Sequence, residues 1–454
     1  MTAAMPAATT ATLPQARRPR AVLLFGNPAA HNSRAIRMAG TLAGAGYEVT
    51  FVARAAPGLP EREDGEGYRV VRVEPPTGPS WLPAPPLPET TRPEATDASA
   101  PAPGGGPASR SSTTARMTGR RLVREGPGRA LQALRYELGS RRWAAAVEAV
   151  VPGAEVWQAD GLVMLPVALD LRRRRGGLVV YDSLEIHVES GRFARLPGPW
   201  RRILARRERT WARAADAVIT VSRPYATVLR NRLAVEPAVV MNTPAEPPPG
   251  AESTPRPRRF HEALGLAPGT PVVLYHGFLF RHRGIERLFQ AIGLVPGAVL
   301  VVMGFGPGFE DYRAAAAASP SAARIHVVPG VAPGELLEWV ASADVDAMPI
   351  EGDTLNHRLT TPNKLFEAMS AGTPVVASDL PGMAPIIRET GAGVTCDPDD
   401  PTDVARAISG ILEATPEERA GYRERAFAAA RATYNWERQA VVYLDVMRRL
   451  GLPG

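Results

Sequence analysis

Lysine is almost absent from this sequence: of 53 basic residues in a chain of 454, one is lysine, at position 364. Cysteine is equally scarce. Cys396 stands alone, which excludes an intramolecular disulfide and any zinc site built on a cysteine cluster. No apolar run approaches the length that crosses a bilayer, and residues 161–169 are bounded by Asp160 and Asp170. No apolar stretch precedes Arg17 and Arg18, so no signal peptide is read there, and a cytoplasmic protein is expected. The formal net charge is +7, but the arginines are spread along the chain and no motif interleaves them with aromatics, which argues against a nucleic-acid partner. What is present suits a globular protein. Hydrophobic residues make up 45%, and the length exceeds what one core usually serves, so two domains are expected.

The lone lysine falls in the most strongly patterned stretch, residues 360–378. That stretch predicts a helix with both ends marked: Thr361 as cap, Pro362 at the first helical position and Gly372 as a left-handed stop. Pro374 then bars continuation into Val375, Val376 and Ala377, which read as a buried strand. Lys364 and Glu367 are three apart and share a helix face near the N-terminus, above Leu365, Phe366 and Met369. Free N–H groups, the helix dipole and an ammonium together suit a phosphate. A carboxylate one turn further on can accept two hydrogen bonds from a vicinal diol such as a ribose. An exposed i,i+3 ion pair is the competing reading. Composition bears on the choice: a solvated charge would tolerate the arginine used at every other basic position, whereas a compact ammonium fitted against a phosphate need not.

Taken in order, residues 1–19 are rich in Ala, Thr and Pro and are expected to be disordered. Strands at 21–26 and 47–52, with a helix near 34–45 between them, open a doubly wound α/β domain over residues 20–245. The loop 27–33 lies at the carboxyl end of the first strand, where such sheets bind ligands, so Asn32 and Ser33 are candidates, with an ordinary capped turn as the alternative. Residues 75–115 hold hardly any large apolar side chains and read as a disordered insertion in that domain. Further strands fall at 155–160, 178–182 and 217–222. Between the last two, residues 199–215 form a helix with Arg201, Arg202, Arg206, Arg207, Arg209 and Arg213 around Trp200, Ile203, Leu204 and Trp211. It is a solvated face over an apolar stripe, or a peripheral contact with an anionic membrane. Residues 246–257 are a Pro/Glu-rich linker. The second domain, 258–434, carries strands at 272–277, 300–305, 325–331 and 344–349, with Gly277, Gly304, Gly306 and Gly330 at strand ends and Arg281 and Arg283 in the first turn. Residues 435–454 form a last helix.

The run Pro362-Asn363-Lys364-Leu365-Phe366-Glu367-Ala368-Met369, followed by Ala371-Gly372-Thr373-Pro374-Val375-Val376, resembles the donor-site signature of family-4 retaining glycosyltransferases, in its Pro-Asn-Lys-x-x-Glu form. The resemblance implies the GT-B architecture: two facing Rossmann-like domains with a deep cleft between them, and a terminal helix packed back on the first. It implies transfer of a sugar from a nucleoside diphosphate sugar to a hydroxyl of a glycan, a lipid-linked molecule or a small molecule, as in cell-envelope or polysaccharide synthesis. Configuration would be retained, with no metal and no other cofactor. Glu367 would hold the donor ribose and Lys364 its diphosphate, with Arg283 and, second to it, Arg281 as further phosphate ligands. Gly277, Gly304, Gly306, Asn363 and Leu365 would line the donor, Asn356 would contact the sugar, and backbone near Gly330 and Val331 would read the base. Glu185 and His187, with Asn32 and Ser33, would face the acceptor. Three positions depart from the family pattern: Leu184 replaces a histidine, for which His187 is the stand-in, Phe278 replaces a basic residue, and Leu359 replaces a glutamate. A nucleotide-sugar hydrolase or epimerase of the same architecture, or a catalytically silent nucleotide-sugar-binding subunit, are the alternatives.

Overall fold

A computed structural model describes residues 18–29, 32–74 and 139–454. The insertion read at 75–115 and nearly all of the 1–19 tail lie outside them. Two sheets account for the strands. The first comprises β1 (Arg20–Phe25), β2 (Glu48–Arg54), β3 (Arg62–Gly65), β4 (Tyr68–Val73), β5 (Val156–Asp160), β6 (Leu178–Ser183), β7 (Ala217–Thr220) and β8 (Ala238–Val239), in the order β3-β4-β2-β1-β5-β6-β7-β8. Only β3 is antiparallel to its neighbour. The second comprises β9 (Val272–Phe278), β10 (Val299–Phe305), β11 (Ile325–Pro329), β12 (Val345–Met348), β13 (Val375–Ser378) and β14 (Gly393–Cys396), in the order β11-β10-β9-β12-β13-β14, all parallel.

The central strands are near-continuous apolar runs because helices cover both faces of each sheet. Ala21 to Phe25 and Leu300 to Met303 are all buried. Strand order reverses beside β1 in the first sheet and beside β9 in the second, so each sheet has a crevice at the carboxyl ends of its central strands, where doubly wound sheets take ligands. The apolar run after Asp160 becomes the helix Gly161–Arg175, which packs on β5 and β6 and is buried from Gly161 to Leu171 except at half-buried Val163. That burial explains its uniform hydrophobicity, and among the described residues no helix is long and apolar enough to cross a membrane. The hairpin β3–β4 has no counterpart in the sequence reading. It adds an edge to the sheet, where Tyr68 stacks on Phe51 at 4.6 Å between ring centroids.

The chain's last two helices connect the halves. Helix Pro416–Ala432 packs on helix Asn363–Ala371, with Phe427 against Gly372. Helix Trp436–Arg449 returns to the first domain: Trp436 Nε1 donates to Thr41 Oγ1 at 3.0 Å and the Tyr443 hydroxyl donates to Gln158 Oε1 at 2.5 Å.

Candidate active site

Helix Asn363–Ala371 starts one residue later than the sequence predicts. Pro362, at φ −70° and ψ 145°, is the capping residue in extended backbone, so Thr361 does not cap, and its hydroxyl is buried without a partner among the described residues. No side chain caps this helix, which leaves its first-turn N–H groups unclaimed by any side chain. Gly372 ends it at φ 66°, and a Cβ there would lie 2.3 Å from the Phe427 ring.

The exposed ion pair does not form. Lys364 is 8% exposed, and its Nζ lies 3.3 Å from the centroid of the Tyr275 ring with no hydrogen-bond partner among the described residues. Burial pushes its pKa down to about 7; Asp346 and Glu367 work against that shift, and Arg283 adds to it. One turn on, Glu367 turns the other way, with Oε2 3.0 Å from His276 Nε2. Burial would raise the Glu367 pKa, but His276, then Arg37 and Lys364, hold it below the usual carboxylate range. On the far side of the imidazole, Nδ1 lies 3.0 Å from Asp346 Oδ2, and Asp346 is 0% exposed. Between two carboxylates, His276 is pushed up to about 9 although burial opposes it. Neither His276 nor Asp346 was singled out from sequence. The available signal was a polar residue inside each of two otherwise apolar strands.

Around this core the glycines let main chain approach. Gly277, next to last in β9, has φ +113°, and a Cβ on it would sit 3.6 Å from Lys364 Cε; a Cβ on Gly304 would sit 1.9 Å from the Gly277 carbonyl oxygen. Gly330 N–H donates to the Gly304 carbonyl at 2.8 Å, which ties the β10 and β11 ends together, and Gly306 turns the chain beyond β10. Val331 packs partly buried against the apolar core of the second domain that includes Leu365, Phe366 and Met369. Arg283 is half-buried with no carboxylate partner among the described residues, and its charge reaches Lys364, Tyr275 and Glu185. Arg281 and Asn363 are exposed. Leu365 is in the apolar core rather than at the site's surface.

The first domain supplies the opposite wall. Asn32 caps helix Ser33–Gly44 by accepting from Ala35 N–H at 3.1 Å, and Ser33 Oγ accepts from Asn242 Nδ2 at 3.5 Å. On the same helix Arg37 donates to Asn242 Oδ1 at 2.7 Å, and its charge reaches Glu367 across the cleft. His187 Nε2 accepts from Leu162 N–H at 3.2 Å, so the Nδ1 side faces Glu185, 3.5 Å away, and Glu185 also accepts from the Ser190 hydroxyl. Burial alone would depress the His187 pKa; Glu185, then Glu208 and Asp160, raise it. Asp160, at the carboxyl end of β5 beside the strand-order reversal, is pushed up to about 7 by burial and by Asp182, against Arg34 and His187. Asp182 is itself held by Arg34 through two hydrogen bonds of 2.9 Å. Asp160 was also missed from sequence.

The loop read as a sugar contact reaches the other domain. Asn356 Oδ1 accepts from Ile186 N–H at 3.1 Å, and its carbonyl accepts from the Tyr225 hydroxyl at 2.9 Å. Leu355 and Leu359 pack on Ile186, Val188 and Tyr225. Leu359, where the resembling family has a glutamate, is thus an apolar contact between the domains. His187 lies just beyond it in the loop that carries Ile186.

Residues 270–414 match the family model described as "Glycosyl transferases group 1". Over 267 residues the chain is 29% identical to a D-inositol 3-phosphate glycosyltransferase of Xylanimonas cellulosilytica, a match covering 55% of this chain and 60% of that protein. It is 27% identical over 282 residues to the 2-deoxystreptamine glucosyltransferase of Streptomyces kanamyceticus, covering 60% of this chain and 70% of that one. Among solved structures, the sucrose-phosphate synthase of Thermosynechococcus elongatus superposes with a TM-score of 0.70 at 19% identity, over 96% of this chain and 99% of that chain. The Anabaena protein HepE in complex with UDP gives a TM-score of 0.61 at 15% identity, over 95% of this chain and 99% of that chain. The chain has the GT-B fold, and within its second domain residues 270–414 are similar to the group 1 glycosyltransferases.

Proposed function

We propose that this protein is a retaining glycosyltransferase of the Pro-Asn-Lys-x-x-Glu form of family 4, moving a sugar from a nucleoside diphosphate sugar to an acceptor hydroxyl. The observation that carries the reading is a buried ammonium without a hydrogen bond, Lys364, beside an uncapped helix N-terminus, with a fixed carboxylate, Glu367, one turn along. A dianionic leaving group would complete that arrangement. As the bond from the anomeric carbon to the diphosphate breaks, the largest developing charge is on the departing phosphate, and Lys364, Arg283 and the first-turn N–H groups meet it. The acceptor hydroxyl forms the new bond on the same face, and its proton passes to the leaving phosphate oxygen. No protein base is required for that step. HepE, a structural relative, has been solved with UDP and with UDP-glucose, which supports a nucleotide-sugar donor here.

The test is turnover of UDP- and GDP-sugars with and without glycan, lipid-linked and small-molecule acceptors, with product configuration read by NMR. Nucleotide released only with acceptor, and an α-linked product from an α-donor, are expected. Equal release without acceptor would make the protein a hydrolase, and no release from any donor would make it a binding subunit.

The reading extends to peripheral attachment at the cytoplasmic face of a membrane. Helix Gly198–Ala214 buries Glu208 and Ala212 and turns Leu204 and Trp211 inwards, while Arg202, Ile203, Arg206, Arg209 and Arg213 are exposed. Basic residues near an anionic surface each add about 1 kcal/mol of attraction, which salt screens. The protein should sediment with anionic vesicles more than with neutral ones, and less in high salt. Equal binding to both would return this helix to an ordinary solvated face.

A further inference from the structure

Three side chains from three separate elements meet beneath the site. His276 is on β9, Asp346 on β12 and Glu367 on helix Asn363–Ala371. β9 and β12 are neighbours, with Asp346 opposite Leu274, and this register sets the carboxylate beside a ring two residues further along. The two contacts of the imidazole differ. Nε2 makes an aligned 3.0 Å hydrogen bond to Glu367 Oε2. Nδ1 lies 3.0 Å from Asp346 Oδ2, yet neither that nitrogen nor either Asp346 oxygen has an aligned hydrogen bond, so this is a contact of charges. A carboxylate buried without hydrogen bonds is costly unless a cation stands against it. Lys364 and the ring both act on Asp346, but the Lys364 Nζ lies over the Tyr275 ring and makes no hydrogen bond to that carboxylate. The ring is left to answer Asp346, and its remaining N–H is committed to Glu367.

We infer that His276, backed by Asp346, is a positioning residue: it fixes Glu367 Oε2 and leaves Oε1 as the oxygen presented to the vicinal diol of the donor ribose. The inference rests on the proposed function. Without the imidazole, Glu367 is free to rotate and to turn towards Arg37, whose charge already reaches it across the cleft. The diol then meets a mobile carboxylate, while the phosphate contacts at Lys364 and Arg283 are untouched. His276 thereby sets the preference for ribose over deoxyribose.

Calorimetric binding of UDP and GDP, each beside its 2′-deoxy counterpart, tests this on the full chain. The wild type should prefer the ribonucleotide by roughly 10- to 100-fold, the range of a hydrogen bond to a charged group. His276→Val should cut that preference to below about 3-fold, at the low end of what a neutral hydrogen bond contributes, with affinity for the deoxynucleotide nearly unchanged. A residue that only supported the fold would lower the melting temperature and leave the ratio intact. Should His276→Val not fold, His276→Val with Asp346→Val removes the buried pair together and carries the same expectation for the ratio, although loss of Asp346 also changes the charge on Lys364 and so the affinity for both nucleotides. An intact ratio in either folded variant overturns the inference alone. A wild type without ribose preference overturns it through Glu367. A wild type that binds no nucleoside diphosphate overturns the proposed function itself.

Discussion

Lys364→Arg is expected to lose most transfer activity, roughly 30- to 1000-fold, nearly as much as Lys364→Ala, because a charge-assisted phosphate contact contributes about 2–4 kcal/mol to the transition state. Arginine keeps the charge, so the loss is one of shape. The lysine stem is buried against Gly277, and the Nζ lies over the Tyr275 ring. A longer planar fork in that space has to displace the diphosphate or push the helix away from β9. At exposed Arg202 and Arg206 the reverse exchange to lysine should be nearly silent. Donor turnover of the wild type and both Lys364 variants, at matched melting temperatures, decides it. Wild-type turnover by Lys364→Arg would pass the phosphate to Arg283.

The second large effect is on stability against pH, where two buried cations have opposite signs. Lys364 ordinarily titrates at 10.5 and in the fold at about 7. Between those values the unfolded chain holds the proton that the folded chain has lost, so this group makes stability rise with pH. His276 is raised from 6.5 to about 9, so its stabilisation is complete below pH 6.5 and is lost as pH rises through 9. From pH 7 to 9 the two trends oppose each other. Lys364→Met removes the rising one. That variant should lose up to about 3 kcal/mol of stability across the window at about 1.4 kcal/mol per unit, where the wild type changes less. Urea unfolding at pH 6.5, 7.5 and 9 measures this, and parallel curves for the two proteins would contradict it.

Most of the fold was legible because buried parallel strands are contiguous apolar runs. The strands at 21–25, 299–305 and 375–378 announce themselves, as does a helix closed by Gly372. Two elements were not. Strand β3 sits at the sheet edge with four exposed or half-exposed residues, so no hydrophobic pattern marks it, whereas Val70, Val71 and Val73 of β4 did offer a signal. The helix start was misplaced because Thr361-Pro362 fits two registers, and the backbone of Pro362 selected the later one. In the site, Lys364 and Glu367 were visible through spacing and composition. His276 and Asp346 were not, since strand register and not sequence distance brings them to Glu367. Likewise Asn356 and Leu359 show their engagement with Ile186 and Tyr225 only once the domains are together.

The account turns on Lys364 and the helix N-terminus gripping a diphosphate, and the most direct measurement compares nucleotides that differ by one phosphate. UDP and UMP, and GDP and GMP, should be titrated into the wild type and Lys364→Ala with melting temperature as readout, since a ligand raises apparent stability according to its affinity. For the nucleotide with the right base, the diphosphate should stabilise the wild type well beyond the monophosphate, and Lys364→Ala should erase most of that difference. Equal stabilisation by mono- and diphosphate, or a full diphosphate preference kept by Lys364→Ala, would contradict it.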